Sequence, residues 1–361
     1  MKRLPYLLLL TALLFTQLAH AQLKPGFNRD EYIDMLNVSF LQFDSNVTPK
    51  DVPDNFKFLY RSPVVGFDNG WDLYMRNDKV AVISINGSRA TAISWIGNFY
   101  AAMVPATGQI PLINGGYFKY KLAENPRAAV HVGWLTGMAY LVQDILPKID
   151  SLYKNGTRNF IITGHSQGGA ICYLLTSYLY YLQKDKALPA DVNFKTYCSA
   201  APKPGNIYYA YDYENLTQNG LAYNVINTAD WVPQTPITIQ SLTDFNKTSP
   251  FYQAKQLLKK QKPGRRIILG FLYTQLNKPT KKAVKRYKNY LGNLLGKIMS
   301  KQIKGYQKPD FYKSMEYVRT GNTITMYADA YYYAKFPDSD TDVFVHHVPQ
   351  AYLYLAAKLP K

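Results

Sequence analysis

Apolar residues along this chain fall into two alternating rhythms. From Arg29 to Gln42 they recur at helical steps through Tyr32, Met35, Leu36 and Phe40, with Asn28 placed to cap the helix. "WDLYMRNDKVAVISINGS", ending at Ser88, reads as two strands joined at Asn77-Asp78. "AAVHVGWLTGMAYLVQDILPKIDSLYKNG" returns to helical spacing and stops at Gly156. "NFIIT" predicts a strand, "GGAICYLLTSYLYYLQK" a helix, and "VNFKTYCSA" and "LAYNVINT" two further strands. "TITMYADAYYY" and the helix-like "VPQAYLYLAAKL" complete the order. Strands alternating with helices predict a mostly parallel central sheet flanked by helices, an α/β fold. Neither internal repeats nor a clear linker interrupts it.

The opening "MKRLPYLLLLTALLFTQLAHAQ" has a basic start at Lys2 and Arg3, an apolar centre from Leu7 to Leu18, and small-x-small spacing at Ala19-His20-Ala21. It predicts a signal peptide over residues 1–21 and export to a periplasm or beyond the cell. Residues 22–361 are then expected to form one domain, and 47% hydrophobic content supplies a large core. Cys172 and Cys198 are the only cysteines, too few for a disulfide scaffold or a zinc site. Both lie in apolar context and read as buried thiols, with a single bridge as the alternative. No ligand spacing implies a metal, and no cofactor is expected.

Charge divides the chain. The net charge is +18, but residues 241–320 hold 19 Lys and Arg against 3 Asp and Glu. That +16 leaves +2 for everything else, so the basicity belongs to one insertion-like segment. Within it, "PTKKAVKRYKNYLGNLLGKIMSKQIKGY" places Val284, Tyr287, Leu291, Leu294 and Ile298 at helical steps, with lysines largely off that stripe. Around Lys281–Lys304 this predicts an amphipathic basic helix. Its stripe serves either as core or as contact with an anionic membrane surface. A nucleic-acid partner is not expected of an exported chain that also carries a nucleophile motif.

That motif is Gly164-His165-Ser166-Gln167-Gly168, which fits G-x-S-x-G between a predicted strand and a predicted helix. Such a turn exposes a serine at the end of a sheet strand and aims the next backbone N–H, that of Gln167, at a developing oxyanion. A serine hydroxyl needs a base to take its proton. After Ser166 only His346 and His347 remain, and His347 lies nearer the turn into the last helix. Asp230 follows a strand and precedes Trp231-Val232-Pro233, where the ligand-facing groups of such a sheet lie. Asp340 and Asp342 are rivals for the acid, in the polar run "PDSDTD".

These residues resemble the class 3, fungal-lipase-like lipases of the α/β-hydrolase fold, over roughly Trp71 to Tyr352. "VAVISINGS" resembles the strand that supplies the first oxyanion residue, which would be Ser88. "VHVGW" resembles the family's His-x-Gly-Phe box and "GHSQGGA" its nucleophile elbow. "APKPGN" and "NTADWVPQTP" resemble the boxes leading to the acid, which falls on Asp230. The family's histidine, usually five residues before a Tyr, falls on His347 before Tyr352. The resemblance implies a secreted serine hydrolase with a Ser166-Asp230-His347 triad and an oxyanion hole from Ser88 and Gln167. It would cleave carboxylic esters, lipid esters first, through an acyl-enzyme. It also implies a lid at "ATAISWIGNFYAAM", which otherwise reads as a buried amphipathic helix. Asn86 for the usual Arg, Lys203-Pro204 in the later box, Gln167 for Leu, and the long Asp230–His347 interval depart from the pattern. They bear on substrate identity more than on reaction type. The alternatives are a carbohydrate (feruloyl or acetyl) ester as substrate, or a non-catalytic membrane-surface-binding protein keeping the fold. Oligomeric state is not legible.

Overall fold

The structure is a computed structural model that describes residues 23–43, 52–112, 116–303 and 305–360. The predicted signal peptide and Lys304 lie outside the described residues. Seven strands form the central sheet: β1 (Phe56–Arg61), β2 (Trp71–Arg76), β3 (Ala81–Ile85), β4 (Asn159–His165), β5 (Asn193–Ser199), β6 (Ala222–Asn227) and β7 (Asn322–Met326). They lie side by side in chain order, β1 to β7. The first three are antiparallel and every later pairing is parallel.

Every residue of β3, β4 and β6 is buried, as expected of parallel strands covered on both faces. One face carries α1 (Arg29–Phe40) and the C-terminal α7 (Pro349–Ala356). Tyr32, Met35, Leu36, Tyr352 and Leu355 pack there with Val82, Ile161 and Val225. Asn28 caps α1 by accepting the Glu31 N–H at 2.7 Å. The other face carries α3 (Val132–Lys154) and α4 (Gln167–Lys184), whose Leu135, Met138, Ile171 and Leu175 join Ile83 and Ile162 in the larger core. Cys172 and Cys198 are free and buried. The sheet and its flanking helices make this an α/β-hydrolase fold.

The basic segment is not one helix starting near Pro279. Helix α5 runs from Pro263 to Lys288 with Pro279 inside it. It continues through a π turn, Asn289–Leu294, into α6 (Leu295–Gln302). Proline favours a helix start because it lacks an N–H, and that preference hides from the sequence pattern the helical stretch upstream of Pro279. The distal half is anchored: Met299, Ile303, Tyr306 and Phe311 belong to the main core. Tyr287 packs beside Met103 and Tyr317. The predicted stripe therefore faces the body of the protein, with Leu294 its one exposed member.

Candidate active site

Strand β4 delivers Ser166 to the carboxyl end of the sheet. Its φ of 60° and ψ of −126° lie in a region that L side chains rarely adopt. The turn closes because Gly168 has no side chain: a Cβ there would stand 2.3 Å from the Ile85 carbonyl oxygen. Helix α4 starts at Gln167, so its first N–H groups have no acceptor one turn back. The Gln167 side chain is buried, and its Oε1 accepts weakly from Ser94 Oγ at 3.4 Å.

Asp230 and His347 meet although 117 residues separate them. His347 Nδ1 lies 2.7 Å from Asp230 Oδ2, and the Asp230 side chain is wholly buried. A carboxylate only accepts, so Nδ1 carries the proton and the lone pair of the neutral ring is on Nε2. Tyr352 donates its hydroxyl to the same Oδ2 at 2.8 Å, and the Val232 N–H donates to Oδ1 at 2.9 Å. Ser166 Oγ makes no hydrogen bond among the described residues. The structure thus joins His347 to Asp230 and leaves the serine hydroxyl free in the pocket, as resting sites often do before substrate tightens them.

His346 is engaged elsewhere: Nε2 contacts Asp338 at 2.8 Å and Nδ1 the Tyr332 hydroxyl at 2.9 Å. Asp340 and Asp342 are exposed.

Two supporting contacts escape a reading of the sequence. His165 is buried, and its Nε2–H donates to the His347 carbonyl at 2.9 Å. Its Nδ1 then accepts from Ser199 Oγ at 3.0 Å, and Ser199 in turn meets the Tyr32 hydroxyl at 2.8 Å. Burial, reinforced by nearby His347, pushes the His165 pKa far down, so the ring is neutral. His165 looks like part of the elbow motif alone; only its partner across the chain gives it a role.

The second contact is Asn98. Its Oδ1 accepts from Trp134 Nε1–H at 3.0 Å, which turns Nδ2 to donate to Ser88 Oγ at 2.8 Å. The Ser88 O–H is thereby left to donate into the pocket. His131 of the "VHVGW" stretch holds the Asn98 carbonyl through Nε2 at 3.0 Å and accepts the Trp134 N–H on Nδ1. Burial lowers its pKa to about 3. The glycine of that stretch, Gly133, lets helix α2 (Ala92–Phe99) approach: a Cβ would meet the Gly97 carbonyl oxygen at 2.0 Å. Helix α2, the predicted lid, buries Ser94 and Gly97, rests Ile93 and Ile96 on the core and leaves Phe99 57% exposed.

A cavity of about 240 Å³ opens at Ser166. Ser88 and Gln167 line it together with Trp95, Trp134, Trp231, Phe344 and, from the basic segment, Tyr287 and Leu291. Its walls are mostly apolar, which suits an acyl chain lying beside a reacting carbonyl. The described residues contain no cluster of His, Cys, Asp or Glu that could hold a metal ion.

Residues 82–240 match the family described as Lipase (class 3). The secreted mono- and diacylglycerol lipase 1 of Fusarium solani is 29% identical over 52% of this chain and 49% of its own length. A Rhizopus niveus lipase is 32% identical over 30% of this chain and 27% of its own. The chain thus spans about half, or less, of the curated relatives it matches. The solved structure of Lip2 lipase from Yarrowia lipolytica matches at 17% identity and a TM-score of 0.46, covering 60% of this chain and 77% of that one.

Proposed function

We propose that this chain, which carries the class 3 lipase pattern over residues 82–240, is an exported serine hydrolase that cleaves carboxylic esters of lipids. The observation that carries the reading is a strained, unpaired serine in an apolar pocket whose sheet end also bears the hydrogen-bonded pair of buried Asp230 and half-buried His347. Export rests on the first 21 residues and on the secreted Fusarium relative. One domain over residues 22–361, with the basic segment as an insertion, goes with it.

In the proposed reaction, Ser166 Oγ attacks the ester carbonyl and its proton passes to His347 Nε2. Asp230 stabilises the imidazolium that forms and keeps the ring in one orientation. The carbonyl oxygen, now an oxyanion, takes hydrogen bonds from the Gln167 N–H and from Ser88. The intermediate collapses, the C–O bond to the alcohol breaks, and the alcohol leaves with the His347 proton. Water then repeats the sequence on the acyl-enzyme: His347 takes its proton, hydroxide adds to the acyl carbon, and Ser166 leaves reprotonated.

The test compares the mature protein with Ser166→Ala on p-nitrophenyl esters of short and long chains, alongside labelling by a serine-reactive phosphonate. Turnover and labelling lost together in the variant, with long chains preferred, is the expected result. Turnover confined to feruloyl or acetyl sugar esters would move the substrate to carbohydrate. No turnover and no labelling would leave a binding protein.

A further inference from the structure

The second half of the basic segment walls the pocket, but its first half touches almost nothing. Helix α5 has no buried residue in 26. Ile267, Ile268, Phe271, Leu272 and Leu276 are 74%, 65%, 63%, 51% and 62% exposed. A monomer in water rarely leaves so many large apolar side chains together on one element, and such a patch marks a contact site. Cations surround it: between residues 251 and 308 the sequence has 16 Lys and Arg and no Asp or Glu.

The two properties together select the partner. A second copy of this helix would bring like charges together, which is costly. A nucleic acid would neutralise the cations but give five exposed aliphatic and aromatic side chains little apolar surface to meet. An anionic bilayer offers both, acidic headgroups for Lys and Arg and acyl chains just beneath for Ile, Leu and Phe. We propose that residues 254–276, comprising the short helix Ala254–Lys259 and the first half of α5, dock this protein in the plane of an anionic phospholipid surface. This moves the contact upstream of Lys281–Lys304, whose stripe is committed to the body. Among the described residues no helix is long and apolar enough to cross a membrane.

The placement also serves the pocket. Leu276 and Tyr287 lie on one helix, roughly 16 Å apart at 1.5 Å per residue. Tyr287 and Leu291 line the cavity at Ser166. Docking therefore sets the pocket beside the lipid surface, where an ester with a long acyl chain resides. The inference deepens the lipid-ester reading, but docking needs no turnover.

The test is co-sedimentation of the mature chain carrying Ser166→Ala with phosphatidylcholine vesicles and with 7:3 phosphatidylcholine/phosphatidylglycerol vesicles, at 0.1 and 0.5 M NaCl. Binding is expected to the anionic vesicles only, and to weaken with salt. Arg265→Gln/Arg266→Gln should lower partitioning about 30-fold, from about 1 kcal/mol per cation near such a surface. Ile268→Asp/Phe271→Asp should abolish it. Both variants should keep the parent's circular dichroism and thermal midpoint, because the positions are exposed. Equal binding to both vesicles, no binding to either, retention of binding by the aspartate variant, or stronger binding to a short duplex DNA than to vesicles would each overturn the proposal. Failure of the ester assay would leave it standing.

Discussion

Asp230→Asn is the sharpest probe of the proposed chemistry, because the structure fixes what the change removes. Asp230 Oδ2 takes hydrogen bonds from His347 Nδ1–H and the Tyr352 hydroxyl, while Oδ1 takes the Val232 N–H. An asparagine has one accepting oxygen for these three donors. If the oxygen faces Val232, the amide N–H₂ faces Nδ1 and forces the proton onto Nε2, which destroys the base. If the oxygen faces His347, the amide opposes the Val232 N–H, a buried mismatch costing about 1–3 kcal/mol. In both cases the imidazolium formed at the transition state loses a neighbouring charge. At a separation of about 4 Å and an effective dielectric of about 20, that charge contributes about 4 kcal/mol, or a factor of about 10³. Single-turnover kinetics with a p-nitrophenyl ester should thus show acylation slowed about a thousandfold, with substrate binding unchanged. A folded variant that loses less than tenfold would refute the assignment of Asp230, and full activity in the Asn variant would refute the triad.

His165→Phe keeps a ring but removes both nitrogens, leaving the His347 carbonyl without its donor. It should lower kcat about 10- to 100-fold through misplacement of the base, with KM unchanged, and His165→Gln should restore part of the loss; a variant that only melts earlier would reduce His165 to packing. Stability should also depend on pH, read by urea denaturation between pH 6.5 and 5. His131 and His165 stay neutral when folded, so the unfolded chain binds about two more protons there and stability falls as the pH falls. Glu316, pushed up to about 7 by burial and by Asp244, holds a proton only when folded and opposes this. The net is about one proton, or about 1.4 kcal/mol per pH unit, and Glu316→Gln should steepen it to about two protons; an unchanged slope in that variant would reject the assignment of Glu316.

The sequence makes local features legible. The elbow is readable because its glycines, strand and helix are contiguous, and β2, β3, β5 and β6 because each is a short run rich in β-forming residues with turn signals nearby. Strand β1 is not: "FKFLYR" lies at the sheet edge and buries little beyond Phe56. The roles of Asn98 and His165 depend on partners 10 and 182 residues away, and nothing in their own neighbourhoods marks them. The exposed half of α5 escapes the sequence pattern because Pro279 interrupts its helix, and none of the described residues covers its apolar side chains.

The long interval between Asp230 and His347 looks like a threat to a triad, yet sheet topology removes it. Asp230 lies just beyond the end of β6, and β7 pairs with β6 in parallel from Tyr223↔Asn322 to Asn227↔Met326. A parallel pair needs a crossover of about a dozen residues or more whatever its contents. Lengthening that crossover costs little, since loop-closure entropy rises only with the logarithm of length. The register fixes where β7 ends, and the chain beyond β7 is tied back to β6: Asn227 Nδ2 donates to the Tyr332 hydroxyl and to the His346 carbonyl at 2.8 and 3.0 Å. The 2.7 Å contact between His347 and Asp230 is thus set by the sheet and these ties, not by the number of residues between them. An insertion at this crossover can carry a docking helix at one end and a pocket wall at the other without moving the acid from the base.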